Sequence, residues 1–262
     1  VKYTMVSLQS MMDHASKEAQ YEIHVLHTNI SEEMQKKMHA MENANFSVQF
    51  DHVTEYLHSI QEKLPLRDYY SKTTYFRLFI AEMFPEIDKA IYIDSDTVVL
   101  GDIAQLYAYD LGDAYVGACR EQVMIQEEVY GTYVEKVLGV ERDNYFNAGM
   151  LVINCEQFRK NHVLEQFMEL LPMYNFVVTQ DEDYLNLICH NKVCWLPQKW
   201  NVEVSVCCII LWSQSHGITV TAVCRNIFGR AHKRPVCMPR SGRCLKAIQT
   251  KKESGMRSPV TV

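Results

Sequence analysis

Nowhere does the chain hold about 20 consecutive apolar residues, so no segment reads as a membrane-spanning helix. A basic leader running into an apolar stretch and a small-residue cleavage site is missing as well. A soluble, cytoplasmic protein is therefore expected. Paired cysteines of zinc-site spacing are lacking, and the total of nine is odd, which argues against a secreted disulfide framework. No internal repeat occurs, and no glycine-rich phosphate loop stands near the start. Acidic residues are scarce in one region only. Residues 201–262 hold Glu203 and Glu253 against 10 Lys and Arg, a balance of +8. Residues 1–200 hold 30 Asp and Glu against 16 Lys and Arg, a balance of −14. The basic stretch has Phe228 as its only aromatic after Trp212 and shows no helical stripe, so nucleic acid is not expected as a partner.

What is present alternates. Met5, Leu8 and Met12 fall at helical spacing, and "YEIHVLHT" follows as a strand. Ser31 is placed to N-cap a helix bearing Met34, Met38 and Met41 on one face. "FSVQF" alternates as a half-buried strand does. In "SKTTYFRLFIAEMFP", Tyr75, Leu78, Phe79 and Met83 line a helical face that Pro85 closes. "KAIYI" then reads as a strand, as do "AYVGA" (114–118) and "GMLVIN" (149–154). A helix around "CEQFRKNHVLEQFMELL" comes next, followed by a short strand at "VVT", a cluster of acids, and a helix with Tyr184, Leu185 and Ile188. Strands alternating with helices predict an α/β fold, with a mixed, largely parallel sheet flanked by helices. In such sheets ligands sit at the carboxyl ends of the strands.

Asp94 and Asp96 stand at such an end. Along an extended strand residues two apart project to one side, so Asp94 and Asp96 can aim at one point. Two converging carboxylates repel unless a cation lies between them, and oxygen-only ligation suits Mg²⁺ or Mn²⁺. A solvated turn with helix-capping acids explains the same pair, and the motif alone does not choose.

Four segments resemble one family. "TTYFRLFIAEMFP", "KAIYIDSDTVVLGDIAQLY", "YFNAGMLVIN" and "TQDEDYLN" stand in the order and spacing of the retaining glycosyltransferases of family 8, over about residues 1–201. That family includes bacterial lipopolysaccharide galactosyl- and glucosyltransferases and the glycogenins. The resemblance implies a GT-A nucleotide-diphospho-sugar transferase fold and transfer of glucose or galactose from a UDP-sugar to a glycan or lipid-linked acceptor, as in lipopolysaccharide biosynthesis. Peripheral association with the inner face of a membrane fits such an acceptor. It further implies that Asp94 and Asp96 hold Mn²⁺ (or Mg²⁺) against the donor diphosphate, with Ser95 beside the ribose. Arg77 then reaches donor sugar and phosphate, where its fork of donors suits oxygens. Asn147 bonds sugar hydroxyls, and Ala148 and Gly149 leave room for the sugar. Asp181 is a second hydroxyl-binding acid. Glu182, where the family commonly carries Gln, either stabilises oxocarbenium character or attacks as a nucleophile. Each residue has a plainer reading. Arg77 suits a surface ion pair, Asn147 and Gly149 a strand-entry turn, Asp181 a helix N-cap, and Glu182 a first-turn glutamate favoured by the helix dipole.

Two parts of the family pattern are not found. The family begins with a strand carrying an Asp for the nucleoside, whereas "VKYTMVSLQSMM" corresponds to the helix after it. The family's closing His-x-x-Gly-x-x-Lys-Pro-Trp segment, with a third metal ligand, is echoed only around His216 and His232. Composition, cysteine content (Cys207, Cys208, Cys224, Cys237 and Cys244) and periodicity all change after about Asn201. A sequence that specifies a fold agrees with itself at every level, and this stretch does not. The expected organisation is an N-terminally trimmed catalytic domain over 1–201. Residues 202–262 are expected to form a poorly ordered basic tail arising from a frame change or misread gene end. Two other functions remain open: an inactive remnant or nucleotide-binding scaffold, and a sugar nucleotidyltransferase.

Overall fold

The alternating pattern Tyr21, Ile23, Val25 buries one face of β1 (Tyr21–His27), and Phe46 and Val48 do the same for β2 (Phe46–His52). The two strands pair in parallel, Tyr21 opposite Phe46 through His27 opposite His52. A parallel pair needs a crossover, and α2 (Glu32–His39) supplies it. Its first turn carries Glu32 and Glu33 and its last turn Lys36, Lys37 and His39, the arrangement that complements a helix dipole. Ser31 occupies the N-cap position in extended conformation, as expected, but its side chain makes no capping hydrogen bond. The computed structural model describes residues 2–54, 56, 72–176, 178–203 and 222–223.

The central sheet has four strands in the order β3-β6-β5-β7. They are β3 (Lys89–Ile93), β5 (Val116–Arg120), β6 (Phe146–Asn154) and β7 (Val193–Trp195). β6 is the spine: eight of its nine residues are buried, as a strand covered on both faces requires. It runs antiparallel to β3 and to β5, while β5 and β7 are parallel. The sheet is thus mixed, and its antiparallel pairs centre on β6. The chain between β5 and β6 does not make a parallel crossover. It forms α5 (Gln122–Gln126), α6 (Glu128–Tyr133) and a π-helical turn over Val134–Leu138, helical structure that the hydrophobic pattern did not announce.

The alternation of β3 and β6 separates two cores. Tyr92, Leu151 and Ile153 face one side, where they meet α3 (Phe76–Met83), α7 (Cys155–Lys160), α8 (Val163–Leu170) and α9 (Asp181–Cys189). Ile93, Met150 and Val152 face the other, against α1 (Lys2–His14), α4 (Ile103–Tyr107) and the β1–β2 pair. Tyr21 fastens that second layer: its hydroxyl donates to Asp102 at 2.6 Å, and Asp102 also caps α4 through the Ala104 N–H. Burial and the Asp102 carboxylate push the Tyr21 phenol up to about 12.

Three local expectations change. The single helix foreseen over 155–171 is two helices, divided at His162, whose φ of 53° and ψ of 45° are left-handed. Val178 and Thr179 form a bend in place of a short strand. Asp94–Thr97 is a hydrogen-bonded turn (Thr97 N–H to Asp94 O, 3.2 Å) between β3 and β4 (Thr97–Val98), so strand alternation does not govern Asp94 and Asp96. A groove of about 500 Å³ lies between β1 and β3, lined also by Ile80, Phe84, Met11 and Tyr107. Among the described residues, the edges of β1 and β3 on that groove have no strand partner. The tail expected over 202–262 lies outside the described residues apart from β8 (Val202–Glu203) and β9 (Ala222–Val223). β9 pairs with β8 and, antiparallel, with β4.

Candidate active site

Because β6 runs antiparallel to β3, the carboxyl end of β3 meets the amino end of β6. Ile93 pairs with Met150, and one step further the Asp94 N–H donates to Gly149 O at 2.8 Å. "IDSD" and "YFNAG" therefore share one edge of the site. Each residue of Tyr145–Gly149 holds a different part of it.

Ala148 is held from both sides. Its N–H donates to Glu182 Oε2 at 2.7 Å, and its carbonyl accepts from Arg77 Nη1. Arg77 is buried, which rules out the surface ion pair that its place on a helix allowed. Its Nη2 donates to Asp94 Oδ1 at 3.2 Å, and its Nε lies 3.0 Å from Asp181 Oδ2 while donating to Thr74 O. The guanidinium also stands over the Tyr92 ring, 4.4 Å from the centroid. The Tyr92 hydroxyl donates to the same Asp94 oxygen at 2.6 Å. A buried charge must be paired to be tolerated, and Arg77 pairs at once with acids from two separated motifs.

Asn147, expected to bond a sugar, is engaged by the protein. Its Nδ2 donates to Glu121 Oε2, and its Oδ1 accepts from the Gly149 N–H and from Asn201 Nδ2, each at 2.8 Å. Glu121 is buried and uses its other oxygen to cap α5 through the Val123 N–H. Phe146 makes paired bonds with the Asn186 amide, N–H to Oδ1 and Nδ2 to O, each 2.8 Å. Tyr145 donates to Asp183 Oδ1 at 2.8 Å and contacts Thr179 Oγ1 at 2.6 Å. Burial, with the charges of Glu182 and Asp183 beside it, raises the Tyr145 phenol well above its ordinary range, so it stays a donor.

The three acids that open α9 therefore separate: Asp181 to Arg77, Glu182 to the Ala148 N–H, Asp183 to tyrosines. Successive helix residues point about 100° apart, so one acidic run serves three partners. Asp181 does not act as an N-cap; the cap position belongs to Gln180 at φ 54°. Ser95 is buried, and its Oγ and Thr97 Oγ1 have no hydrogen-bond partner among the described residues. Asp96 is half-buried in the same turn. Among the described residues no group of three or more His, Cys, Asp and Glu side chains is placed to hold a metal ion. His216 and His232 lie outside those residues.

Sequence reasoning placed Arg77, Asp94, Asn147, Ala148, Gly149, Asp181 and Glu182 together, and they are together. It missed Tyr92, Glu121, Tyr145, Asp183, Asn186 and Asn201. Five of these six lie inside the quoted motifs or in the "KWN" just before the composition change, so buried polar residues within an apolar run were the available signal.

The likeness to solved structures places the fold among the GT-A glycosyltransferases. The galactosyltransferase LgtC, solved with donor and acceptor sugar analogs, superposes with a TM-score of 0.63 at 27% identity, over 77% of this chain and 71% of that one. The bifunctional glycosyltransferase WbbM gives a TM-score of 0.68 at 28% identity, over 77% of this chain and 38% of that one. Residues 1–223 match the model of glycosyl transferase family 8, and the chain belongs to that family. A putative glycosyltransferase of Haemophilus influenzae is 35% identical over 136 residues, 51% of this chain and 40% of that protein. A lipopolysaccharide 1,2-glucosyltransferase of Escherichia coli K12 is 26% identical over 146 residues, 55% of this chain and 42% of that protein. The chain spans less than half the length of these two curated relatives.

Proposed function

We propose that this chain is the donor-binding part of a metal-dependent, retaining glycosyltransferase that moves glucose or galactose from a UDP-sugar to a glycan or lipid-linked acceptor. The observation that carries the reading is the convergence of Asp94, Asp181 and Glu182 on Arg77 and the Ala148 peptide at the end of β3. Family membership supports sugar transfer. The lipopolysaccharide glucosyltransferase and LgtC among the similar proteins support a hexose donor and a glycan acceptor.

The acids fit a hard cation. Two carboxylates in one turn are oxygen donors, and Mg²⁺-type ions are commonly held by one or two carboxylates completed by substrate phosphates and water. Asp94 and Asp96 would hold Mn²⁺ or Mg²⁺ in that way, with no third protein ligand required. When bound, the ion supplies charge neutralisation for the departing diphosphate. Arg77 stands behind Asp94, so its charge reaches the donor through Asp94 and through the Ala148 carbonyl it orients. Ser95 borders the nucleotide. Asn147, held by Glu121 and Asn201, sets the Ala148–Gly149 backbone against which the sugar packs. Asp181 is the hydroxyl-binding acid. Glu182 lies beside the reacting carbon with one oxygen committed to the Ala148 N–H. A carboxylate so held is suited to stabilising positive charge and less suited to attack, which favours acceptor entry on the leaving-group face.

Calorimetry with UDP and Mn²⁺ tests the assignment. Asp94→Asn and Asp96→Asn should each weaken Mn²⁺-dependent UDP binding by roughly 1–3 kcal/mol, the scale of a lost charged contact. Parental affinity in both variants removes the metal site. Release of pyrophosphate in place of UDP would instead indicate a nucleotidyltransferase.

A further inference from the structure

Asp183 has no part in the proposed chemistry, yet it is the most enclosed acid of the three that open α9, with 0% exposure. Oδ2 accepts from the Tyr133 hydroxyl at 2.9 Å and the Thr179 N–H at 3.2 Å, and Oδ1 accepts from the Tyr145 hydroxyl at 2.8 Å. Those donors come from three places: the end of α6, the bend before α9, and the residue leading into β6. The bend itself is strained, since Gln180 holds φ 54° and ψ −108° without being glycine. We propose that Asp183 is a positioning residue that fixes the rotation of α9, and so aims Asp181 at Arg77 and Glu182 at the Ala148 N–H.

The geometry makes the coupling tight. The three acids occupy consecutive positions about 100° apart on one helical turn, so a rotation of the helix moves all three together. At roughly 5–6 Å from the helix axis, a rotation of about 20° moves a carboxylate by about 2 Å. That displacement breaks the 2.7 Å bond from Ala148 to Glu182. Asn186 holds the next turn of α9 to Phe146, and Asp183 and Thr179 join the 179–180 bend to Tyr145. Misplacement of about 1 Å can cost on the order of 100-fold in rate.

The positioning role rests on the glycosyltransferase reading, but it has a readout that does not. The Ala148 amide reports the Glu182 contact directly. In Asp183→Ala, hydrogen exchange at the Ala148 and Thr179 amides should quicken at least about 10-fold, while Val152 and Ile153 in β6 keep the parental rate. Asp183→Asn should restore both amides. Its oxygen can take the bonds from Tyr133 and Thr179, and its NH₂ can donate to the Tyr145 hydroxyl, which then donates to Thr179 Oγ1. Where sugar transfer is measurable, Asp183→Ala should lower kcat about 100-fold with UDP affinity within about 3-fold, and Asp183→Asn should stay within about 3-fold of the parent. Should Asp183→Ala not fold, Tyr145→Phe provides the same test, with a smaller acceleration of about 3- to 10-fold at Ala148. Equal acceleration throughout β6 would reduce Asp183 to a stabilising contact and overturn the proposal. So would an Asp183→Asn variant as inactive as Asp183→Ala with an unchanged Ala148 amide, because charge at Asp183 would then act in the chemistry. A parent that binds no UDP defeats the functional reading alone, and the exchange rates still decide the role of Asp183.

Discussion

Arg77 shows at the residue scale how one side chain can carry both fold and function. It is buried, and it is bonded to Asp94, Thr74 and Ala148 with Asp181 alongside. Removing one partner of a buried ion network leaves uncompensated charge, which costs about 3–5 kcal/mol. Arg77→Ala should therefore lower stability on that scale in urea denaturation. Adding Asp181→Asn to Arg77→Ala should recover part of the loss, because one of the stranded carboxylates is then neutral. Strict additivity of the two changes would show that the pair does not interact. Glu182 offers the mechanistic counterpart. Glu182→Gln keeps an oxygen for the Ala148 N–H and should retain most of the transfer rate, whereas Glu182→Ala should lower kcat with little change in donor affinity. A Gln variant as impaired as Ala would favour covalent attack by the carboxylate.

Among the elements, the link between α7 and α8 is the clearest case of strain accepted for packing. The hydrophobic spacing of Phe158, Val163 and Phe167 reads as one helix, and all three are buried. They stay on one core only because the chain breaks at His162 in a left-handed conformation. Side chains pay a steric penalty there that glycine avoids. The His162–Glu165 contact at 3.3 Å is solvent-exposed and adds little. His162→Gly should thus leave stability unchanged or raise it by up to about 1 kcal/mol. A loss of more than that in chemical denaturation would mean that the imidazole contributes where no buried contact is seen.

For the whole molecule, the two-layer cover makes stability depend on pH through β1. His27 is buried against Phe50 and His52, and its Nδ1 accepts the Ile30 N–H at 3.3 Å, so the neutral ring is the one that fits. Burial, then the neighbouring His52, lower its proton affinity below the ordinary value of 6.5, with Asp51 opposing. A base whose folded value is lowered binds protons more readily when unfolded. Its contribution is complete above pH 6.5 and is lost as the pH falls below it, by at most about 1.4 kcal/mol per pH unit. Urea midpoints measured between pH 7.5 and 5.5 should fall more steeply for the parent than for His27→Asn, whose side-chain oxygen can accept the Ile30 N–H at any pH. Identical slopes would show that His27 does not titrate on unfolding.

The sequence by itself determined the kinds of element and the chemistry of the motifs. Periods of 2 and 3.6 mark which side of a strand or helix is apolar, so β1, β2, α3, β6 and α9 were legible. The order of "TTYFR", "IDSD", "YFNAG" and "QDED" identified the family. Periodicity carries no information about which neighbour a strand takes or in which direction. Only the tertiary structure decided that β6 lies antiparallel beside β3, which brings Gly149 to Asp94 and Ala148 to Arg77. Only it decided that Asp94 and Asp96 share a turn, and that three adjacent acids serve three separate partners. The physical reason is that hydrogen-bonding partners of buried polar groups are chosen by packing across distant segments. Arg77 and Ala148 stand 71 positions apart in the chain, and nothing local traces their bond.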